Sequence, residues 1–595
     1  MYNIVVNNRE IVTLLRNVAA ALTIKSQNRF RIIAYDKAAD SIEHLTCEVK
    51  DIWDEGRLEE IPGIGPTIAA HFDELFKTGR VKHFETVFKG ISPAVFEFLL
   101  IPGIGPKRAH RLTQEFHLLE AKNAVSNLQK IAEAGKIAQL EGFGEKSQSE
   151  ILAAIETYKR GQIKENRMNL PFADRLAQEV MAYLQQCKAV IRVDSLGSLR
   201  RKVATIGDID LACATNEPQT VVDYFVKYPK MRKIVDKGEK GATILLSIGR
   251  QVDLRVAKPQ TYGAMLQYFT GSKHHNIKLR EFALKKGLSL SEHGIKNLKT
   301  GKIEAFASEK TFYQKLGMDW IPPEIREDAG EIEAALHGEL PQLVETSDIL
   351  GDLHVHSDYN LEPSHDLGAS PLKDLLNTAV SLRYHYIGIS DHNPSTGNHA
   401  ENQIITLMKN RREKYEQIYS SWKVNVKNRV RLLYMLEIDI LPTGKLALPQ
   451  AGFEFIDAAI ISVHSSFNLT KEKMTQRVLS AFSHPKAKIL GHPTGRLLGE
   501  REGYELDWPK IFAFAKSHNK AIEINSWPQR LDLPDLLVRQ AVKQGVKLVI
   551  DTDAHHQDHL HNMEYGVDVA RRGWAQKGDI LNTMEYNTFV NWLRS

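Results

Sequence analysis

The three cysteines of this 595-residue chain, Cys47, Cys187 and Cys213, lie far apart. Their spacing forms no pair pattern, which excludes a disulfide framework and a thiolate zinc site and predicts reduced, buried thiols. Apolar runs of membrane-spanning length are missing, and the opening MYNIVVNNRE lacks the basic and apolar regions of a secretory signal. The expectation is a cytoplasmic protein, monomeric and without a membrane partner. What remains is ordinary globular material, 43% apolar and 25% charged, in a chain with room for several domains.

The net charge of +5 conceals an asymmetry. Residues 1–325 carry 48 Lys+Arg against 38 Asp+Glu, whereas residues 326–595 carry 30 against 35. Histidine is skewed the other way, with 8 of 23 in the first part and 15 in the second. A basic half joined to an acidic, histidine-rich half predicts a polyanion-binding part and a metal-binding part. The join is read at REDAGEIEAALHGELPQLVE, residues 326–345, which is acidic and poor in large apolar side chains.

IPGIGP stands at residues 61–66 and again at 101–106, and LEGFGEKS at 140–147 is a looser third copy. Each lies between helix-patterned segments at regular spacing, so the repeated unit is helix, glycine hairpin, helix. Gly63, Gly65, Gly103, Gly105, Gly142 and Gly144 can adopt positive φ and offer no side chain to a close neighbour, while the following helix presents unpaired N–H groups. Such a turn receives a phosphate, with Lys107 and Arg108 adding charge beside it and the isoleucines packing beneath. The alternative is a plain helix-helix turn; recurrence in three copies weighs against it.

GSLRRKVATIGDIDL, residues 197–211, places Asp208 and Asp210 one residue apart, so that on a strand both carboxylates share a face. QVDLRV at 251–256 supplies a third acid, Asp253, facing away from Val252 and Leu254. Three convergent carboxylates suit two Mg or Mn ions, which lower the pKa of an attacking hydroxyl and neutralise a leaving pyrophosphate. Ser198, Arg200 and Arg201, on the turn before the strand, and Gly207 beside the acids are candidates for nucleotide contact. Further on, Tyr268 and Phe269 precede the small Gly271 and can wall a sugar ring. Asn276 and Arg280, four apart, share a helix face and can reach a base edge and a template strand.

These motifs make residues 1 to about 320 resemble a family X DNA polymerase, the family of DNA polymerase beta, and the glycine hairpins resemble helix-hairpin-helix motifs that grip the DNA backbone without reading sequence. The resemblance implies gap filling as in base excision repair, with gapped DNA and deoxynucleoside triphosphates as partners, alongside other repair proteins. Asp208, Asp210 and Asp253 match the catalytic aspartates of the family. Two departures stand out: Ala204 replaces a frequent Glu, and His71 with Thr67 replaces lysines near the first hairpin. A histidine cannot form the imine of a lyase, so weak or absent deoxyribose-phosphate lyase activity is expected.

From residue 350 onward, histidine or acid repeatedly ends an apolar run: His354 and His356 in GDLHVHSDY, Asp391 and His392, Glu437, His464, His492, then Asp553 and His555. Polar residues at successive strand ends predict a barrel of parallel strands with its metal ligands on the C-terminal face. Imidazole with carboxylate suits Mn, Zn or Fe, and the hydroxide such a cluster generates hydrolyses phosphoesters. These segments resemble a polymerase and histidinol phosphatase (PHP) domain. That resemblance implies a metal-dependent 3′ to 5′ exonuclease. In this chain Leu361 stands where the pattern has an acid, and Asp366 is the candidate replacement with His365 and Glu362 as rivals. Arg496 and Arg530 read equally as phosphate contacts or as structural ion pairs.

The expected architecture is multidomain, α+β and α/β. Helix-hairpin-helix modules occupy residues 1–85 (lyase-like) and 86–165, followed by a nucleotidyltransferase palm at 166–257 and a nucleotide/template-binding subdomain at 258–322. A linker at 323–346 leads to a distorted (βα) barrel at 347–595. The alternatives carried beside a repair polymerase are a DNA-anchored phosphoesterase and a non-catalytic DNA-end scaffold.

Overall fold

The computed structural model describes residues 8–43, 49–54, 56, 58–61, 64–101, 103–121, 123–140, 142–159, 167–363, 365–424 and 430–595. It divides into two compact units, Met1–Asn166 and Arg167–Ser595. No helix among the described residues is long and apolar enough to cross a membrane.

The described part of the first unit is helical, from Asn8–Ile24 to Glu145–Lys159, around one apolar core. Its three glycine hairpins share one backbone hydrogen bond. The amide of the residue between the glycines donates to the carbonyl of the residue that opens the turn: Ile64 to Ile61 at 3.0 Å, Ile104 to Ile101 at 3.2 Å and Phe143 to Leu140 at 2.9 Å. Ile61, Ile64, Ile101, Ile104 and Phe143 are buried beneath the turns, so the hairpins are seated by their apolar residues. Gly103 (φ +83°) and Gly142 (φ +80°) take the left-handed conformation that a side chain resists. Gly65 and Gly105 are extended N-caps of the helices Pro66–Thr78 and Pro106–Glu115. Among the described glycines, the first of a hairpin (Gly103, Gly142) uses positive φ, whereas Gly65 and Gly105 have open space where a Cβ would stand. Gly63 and Cys47 lie outside the described residues.

The second unit begins with a palm. Strands β1 (Met168–Asn169), β2 (Arg192–Ser195), β3 (Thr205–Ile206), β4 (Ile209–Ala214), β5 (Met231–Gly238), β6 (Gly241–Leu246) and β7 (Gln251–Ala257) form a small β1-β3 pair and a five-stranded sheet of order β2-β4-β7-β6-β5. Alternation sets the faces. Leu211, Cys213, Val252 and Leu254 join one core, while Ala212 and Ala214 pack on the helix Tyr262–Thr270 against the opposite face.

An antiparallel sheet of β8 (Leu288–Ser291), β9 (Gly294–Asn297) and β10 (Ile303–Glu304) follows. The stretch 323–346 is packed onto this region. Ile325, Ile332, Ala335 and Leu343 enter its core, and the fully buried Arg326 pairs with Glu309 at 2.6 Å. Apolar residues spaced three or four apart on a short helix, Glu331–His337, carry that burial despite the acidic composition.

The C-terminal part is a parallel sheet in sequential order: β11 (Gly351–Val355), β12 (Tyr386–Ile389), β13 (Arg431–Asp439), β14 (Ala458–Ser462), β15 (Ala487–Leu490), β16 (Ala521–Asn525) and β17 (Lys547–Asp551). Its ends meet. The His356 amide donates to the Ala554 carbonyl at 2.8 Å and the Ala554 amide to the His354 carbonyl at 3.2 Å, nearly closing a barrel. The interior has two ends. Leu353, Tyr386, Met435, Ile460 and Val549 pack at one end against Phe589 and Trp592 of the last helix. Toward the C-terminal strand ends the same period-two faces turn polar, through Glu437, Asp439 and Glu523.

Candidate functional site

In the palm, β4 and β7 run parallel with Asp210 opposite Asp253. Asp208 precedes β4, and all three acids influence one another. Burial first, then Asp253, pushes the Asp210 carboxyl up to about 6; burial and Asp253 raise Asp208 as well. Carboxylates held together at such electrostatic cost fit a cation site. Asp253 is fixed by the Thr243 hydroxyl and by Gln251 Nε2 at 2.8 Å. Gly197 (φ +55°) closes over the acids: a Cβ there would lie 2.7 Å from Asp210 Oδ2, so the Gly-Ser turn requires glycine.

The structure puts Ser198 on the short helix Gly197–Arg200, next in sequence to the glycine that meets that carboxylate. Arg201 is engaged elsewhere: Nε meets Glu327 at 3.0 Å and Nη1 donates to the Thr270 carbonyl, while Arg200 is paired with Glu309 at 2.5 Å. Gly207 approaches Arg167, whose guanidinium would lie 3.4 Å from an added Cβ. Tyr268 and Phe269 form an edge-to-face pair 4.9 Å apart, Arg280 lies over Tyr268 at 4.9 Å, and a Cβ on Gly271 would stand 3.1 Å from Arg201 Nη1. Asn276 donates to the Tyr268 carbonyl at 2.7 Å and accepts from Gln267 at 2.8 Å, so it braces the aromatic wall. Arg255, which sequence reading passed over, stacks on Phe269 at 4.3 Å and lowers Asp210 against its burial. Its signal was available: it follows Asp253 by two residues on one strand face.

Lys107 is the second residue of the helix after the second hairpin, and Gly65, Gly105 and Gly144 would meet nothing within 4 Å if given a Cβ. Open space in front of three helix starts is what a phosphate approach needs. Where the lyase lysine was expected, His71 stacks on His83 at 4.9 Å and contacts the Tyr35 hydroxyl at 3.2 Å.

At the polar end of the barrel nine of the expected ligands come together, all but Asp391. Glu437 is the hub. Oε1 lies 2.9 Å from His492 and 3.4 Å from His464; Oε2 lies 2.9 Å from His392, 3.3 Å from His354 and 3.6 Å from His356. Asp553 Oδ1 is 3.3 Å from His356, 3.6 Å from His354 and 3.7 Å from His555. Asp366 reaches His555 at 3.4 Å and His392 at 3.7 Å. Several triads, such as His354, His356 and Asp553, have ligand atoms within 4.8 Å of one another. His492 (φ +25°) and Asp553 (φ +54°) adopt strained backbone at these strand ends.

Electrostatics support a cation here. Burial opposes ionisation of Glu437 and Asp553, but surrounding imidazoles hold both well below the carboxylate range. Burial with His555 and His392 lowers His356 to about 3, whereas Glu437 and Asp366 overcome burial and raise His392 to about 10. His354 Nε2, both nitrogens of His356 and of His392, and His555 Nε2 are buried without a hydrogen-bond partner. Orphaned imidazole nitrogens facing shared carboxylates fit first-row divalent ions.

Three expectations are refined. Leu361 is fully buried and, being aliphatic, has no donor atom; of the three candidates near it, Asp366 lies 3.4 Å from His555, whereas Glu362 pairs with His399 and His365 with Asp439. Asp391 does not join the cluster: it accepts from Arg411 at 2.7 Å, Tyr415 at 2.6 Å and the Ser357 amide at 2.7 Å, bracing the loop after β11. Arg496 donates to the Arg530 and Leu531 carbonyls, a structural role, whereas Arg530 lies 3.4 Å from Asp553 Oδ2. Missed by sequence reading were Glu523, 2.6 Å from His354 Nδ1, and Asp439, 2.7 Å from His464 Nδ1. Asp439 follows Glu437 on the same strand face, which the period of two reveals.

Comparison with known proteins agrees with this layout. Residues 6–81 match a helix-hairpin-helix domain, 265–327 the DNA polymerase beta thumb, and 352–527 the PHP domain. The chain is 32% identical over 579 residues, 97% of either chain, to DNA polymerase/3′-5′ exonuclease PolX of Bacillus subtilis (strain 168). It is 24% identical over 355 residues to DNA polymerase lambda of Arabidopsis thaliana, covering 54% of this chain and 61% of the relative. Over 164 residues, 26% of this chain and 64% of the relative, it is 27% identical to a probable phosphatase of Thermoanaerobacter sp. (strain X514).

Proposed function

Because the chain belongs to the PolX family, DNA polymerases with an attached PHP domain, we propose that its palm fills short gaps in DNA and its barrel trims 3′ ends. The observation that carries the polymerase reading is the pairing of Asp210 with Asp253 across β4 and β7, with Asp208 alongside. Asp208, Asp210 and Asp253 would hold Mg or Mn, which would supply activation of the primer 3′-hydroxyl and charge neutralisation of the leaving pyrophosphate. The residues of the chain supply position. Ser198 and Gly207 border the triphosphate, and Tyr268 and Phe269 wall the sugar, braced by Asn276. Arg201 reaches the triphosphate on exchanging Glu327 for phosphate, and Arg280 contacts the template. Gly63, Gly65, Gly103, Gly105, Gly142, Gly144 and Lys107 grip the DNA backbone.

In the barrel, His354, His356, Asp366, His392, Glu437, His464, His492, Asp553 and His555 would hold Mn, Zn or Fe ions, which supply hydroxide near neutral pH. Glu523 and Asp439 orient two of the imidazoles, and Arg530 faces the scissile phosphate from beside Asp553. The likeness to a probable phosphatase favours a second reading of this site alone, hydrolysis of small phosphomonoesters.

The test follows a labelled primer on one-nucleotide gapped DNA with Mn. Wild type extends and shortens it, Asp208→Ala with Asp210→Ala only shortens it, and His354→Ala with His356→Ala only extends it. A wild type that releases phosphate from small monoesters but leaves the primer intact supports the second reading.

A further inference from the structure

The loop that follows β11 departs from the family pattern, and its anchoring uses two residues that no role above absorbs, Glu362 and His365. Asp366 reaches two imidazoles, yet its side chain is 79% exposed, so burial does not locate it. Its neighbour His365 does have a firm partner. Nε2 lies 2.9 and 3.1 Å from the two carboxylate oxygens of Asp439, and Asp439 Oδ1 also takes His464 Nδ1 at 2.7 Å. The rest of the loop is tied at both flanks. Glu362 pairs with His399 at 2.8 Å and its carbonyl accepts from the Ser395 amide at 3.1 Å, while a Cβ on Gly368 would lie 2.3 Å from the His356 carbonyl oxygen.

We propose that His365, acting through Asp439, is the positioning residue that docks the inserted loop and thereby sets Asp366 in place as a metal ligand. One carboxylate then does two things: it fixes the tautomer of His464, leaving Nε2 for the ions, and it anchors the loop that brings the acid. This rests on the reading of Asp366 as a ligand. The rival use of the same atoms is an additional metal site of His365, Asp439 and His464, whose ligand atoms lie within 4.8 Å of one another. The approach of one His365 nitrogen to both Asp439 oxygens, at 2.9 and 3.1 Å, fits a hydrogen bond to the carboxylate, and the titration separates this use from the rival.

The experiment titrates Mn into the metal-stripped full-length protein and reads the bound equivalents and affinity, with the thermal midpoint of each stripped variant checking the fold. His365→Ala is expected to weaken Mn binding about 10–100-fold, as loss of an outer-shell partner does. Asp366→Asn should weaken the same class of site, and the double variant should be no weaker than Asp366→Asn alone, because His365 acts through Asp366. His365→Gln, which keeps a donor for Asp439, should recover part of the loss. A His365→Ala titration identical to wild type, beside a weakened Asp366→Asn, overturns the anchoring and leaves the ligand assignment intact. An unaffected Asp366→Asn overturns the ligand assignment itself and the anchoring with it. Loss of a whole Mn equivalent in His365→Ala that Asp366→Asn retains also overturns the proposal, in favour of the additional ion.

Discussion

Asp210 and Asp253 face each other from adjacent parallel strands, and the first is pushed up to about 6 by its burial and by the second. An acid whose folded pKa lies above its unfolded value of 3.8 destabilises the fold once both states are ionised. The penalty is absent below about pH 4 and fully present above about pH 6. In chelator at pH 7.5, Asp210→Asn is therefore expected to be more stable than wild type, by on the order of 1–3 kcal/mol, while losing gap filling. Denaturant melts at pH 7.5 and pH 4 check it; a gain that persists undiminished at pH 4 contradicts the electrostatic origin.

The histidine cluster predicts stabilisation by metal. At a Mn concentration 100 times the dissociation constant, the folded state gains about 2.7 kcal/mol. The gain should be visible as a raised melting temperature in wild type and greatly reduced in His354→Ala with His356→Ala. Equal responses in both proteins would place the bound ion elsewhere.

The hairpin glycines separate stability from DNA binding. Gly105 caps its helix in an extended conformation with nothing within 4 Å of an added Cβ, so Gly105→Ser should leave the melting temperature unchanged or raise it, since serine is a good N-cap. The new side chain obstructs a backbone phosphate, and affinity for gapped DNA should fall similarly across sequences. Gly103→Ala, at φ +83°, should instead cost stability, about 1 kcal/mol. Fluorescence anisotropy on two unrelated gapped duplexes, beside thermal melts, distinguishes the two effects.

Arg411 and Asp391 form a buried ion pair at 2.7 Å. Burial works against the charge on Asp391, but Arg411 and the Tyr415 hydroxyl prevail and depress its pKa. The stability this contributes is present above the unfolded carboxylate range and drains as the pH falls through the lower folded value. Arg411→Ala leaves the acid uncompensated and should cost about 3–5 kcal/mol near neutrality. The difference from wild type narrows in acid. Urea melts from pH 7 to pH 3 read both effects, and a cost that does not change with pH would assign the loss to packing.

The chemistry-bearing residues were legible because chemistry imposes local patterns. Asp208 and Asp210 share a face through the two-residue period of a strand, and His354 with His356, or Glu437 with Asp439, obey the same rule. Apolar runs that end in His or acid announced the barrel and its ligand face, and three IPGIGP-like turns announced their apolar seats. Tertiary structure decided what no local pattern encodes. It committed Arg201 to Glu327 and Asp391 to Arg411, because partners 126 and 20 residues away sit within reach only in the folded chain. It brought Glu523, 169 residues from His354, to that imidazole, and of the three rivals read beside Leu361 it turned Asp366 toward His555 while pairing Glu362 with His399 and His365 with Asp439. Residue type and period are properties of neighbours in sequence; the choice of partner belongs to the closed barrel and the packed palm.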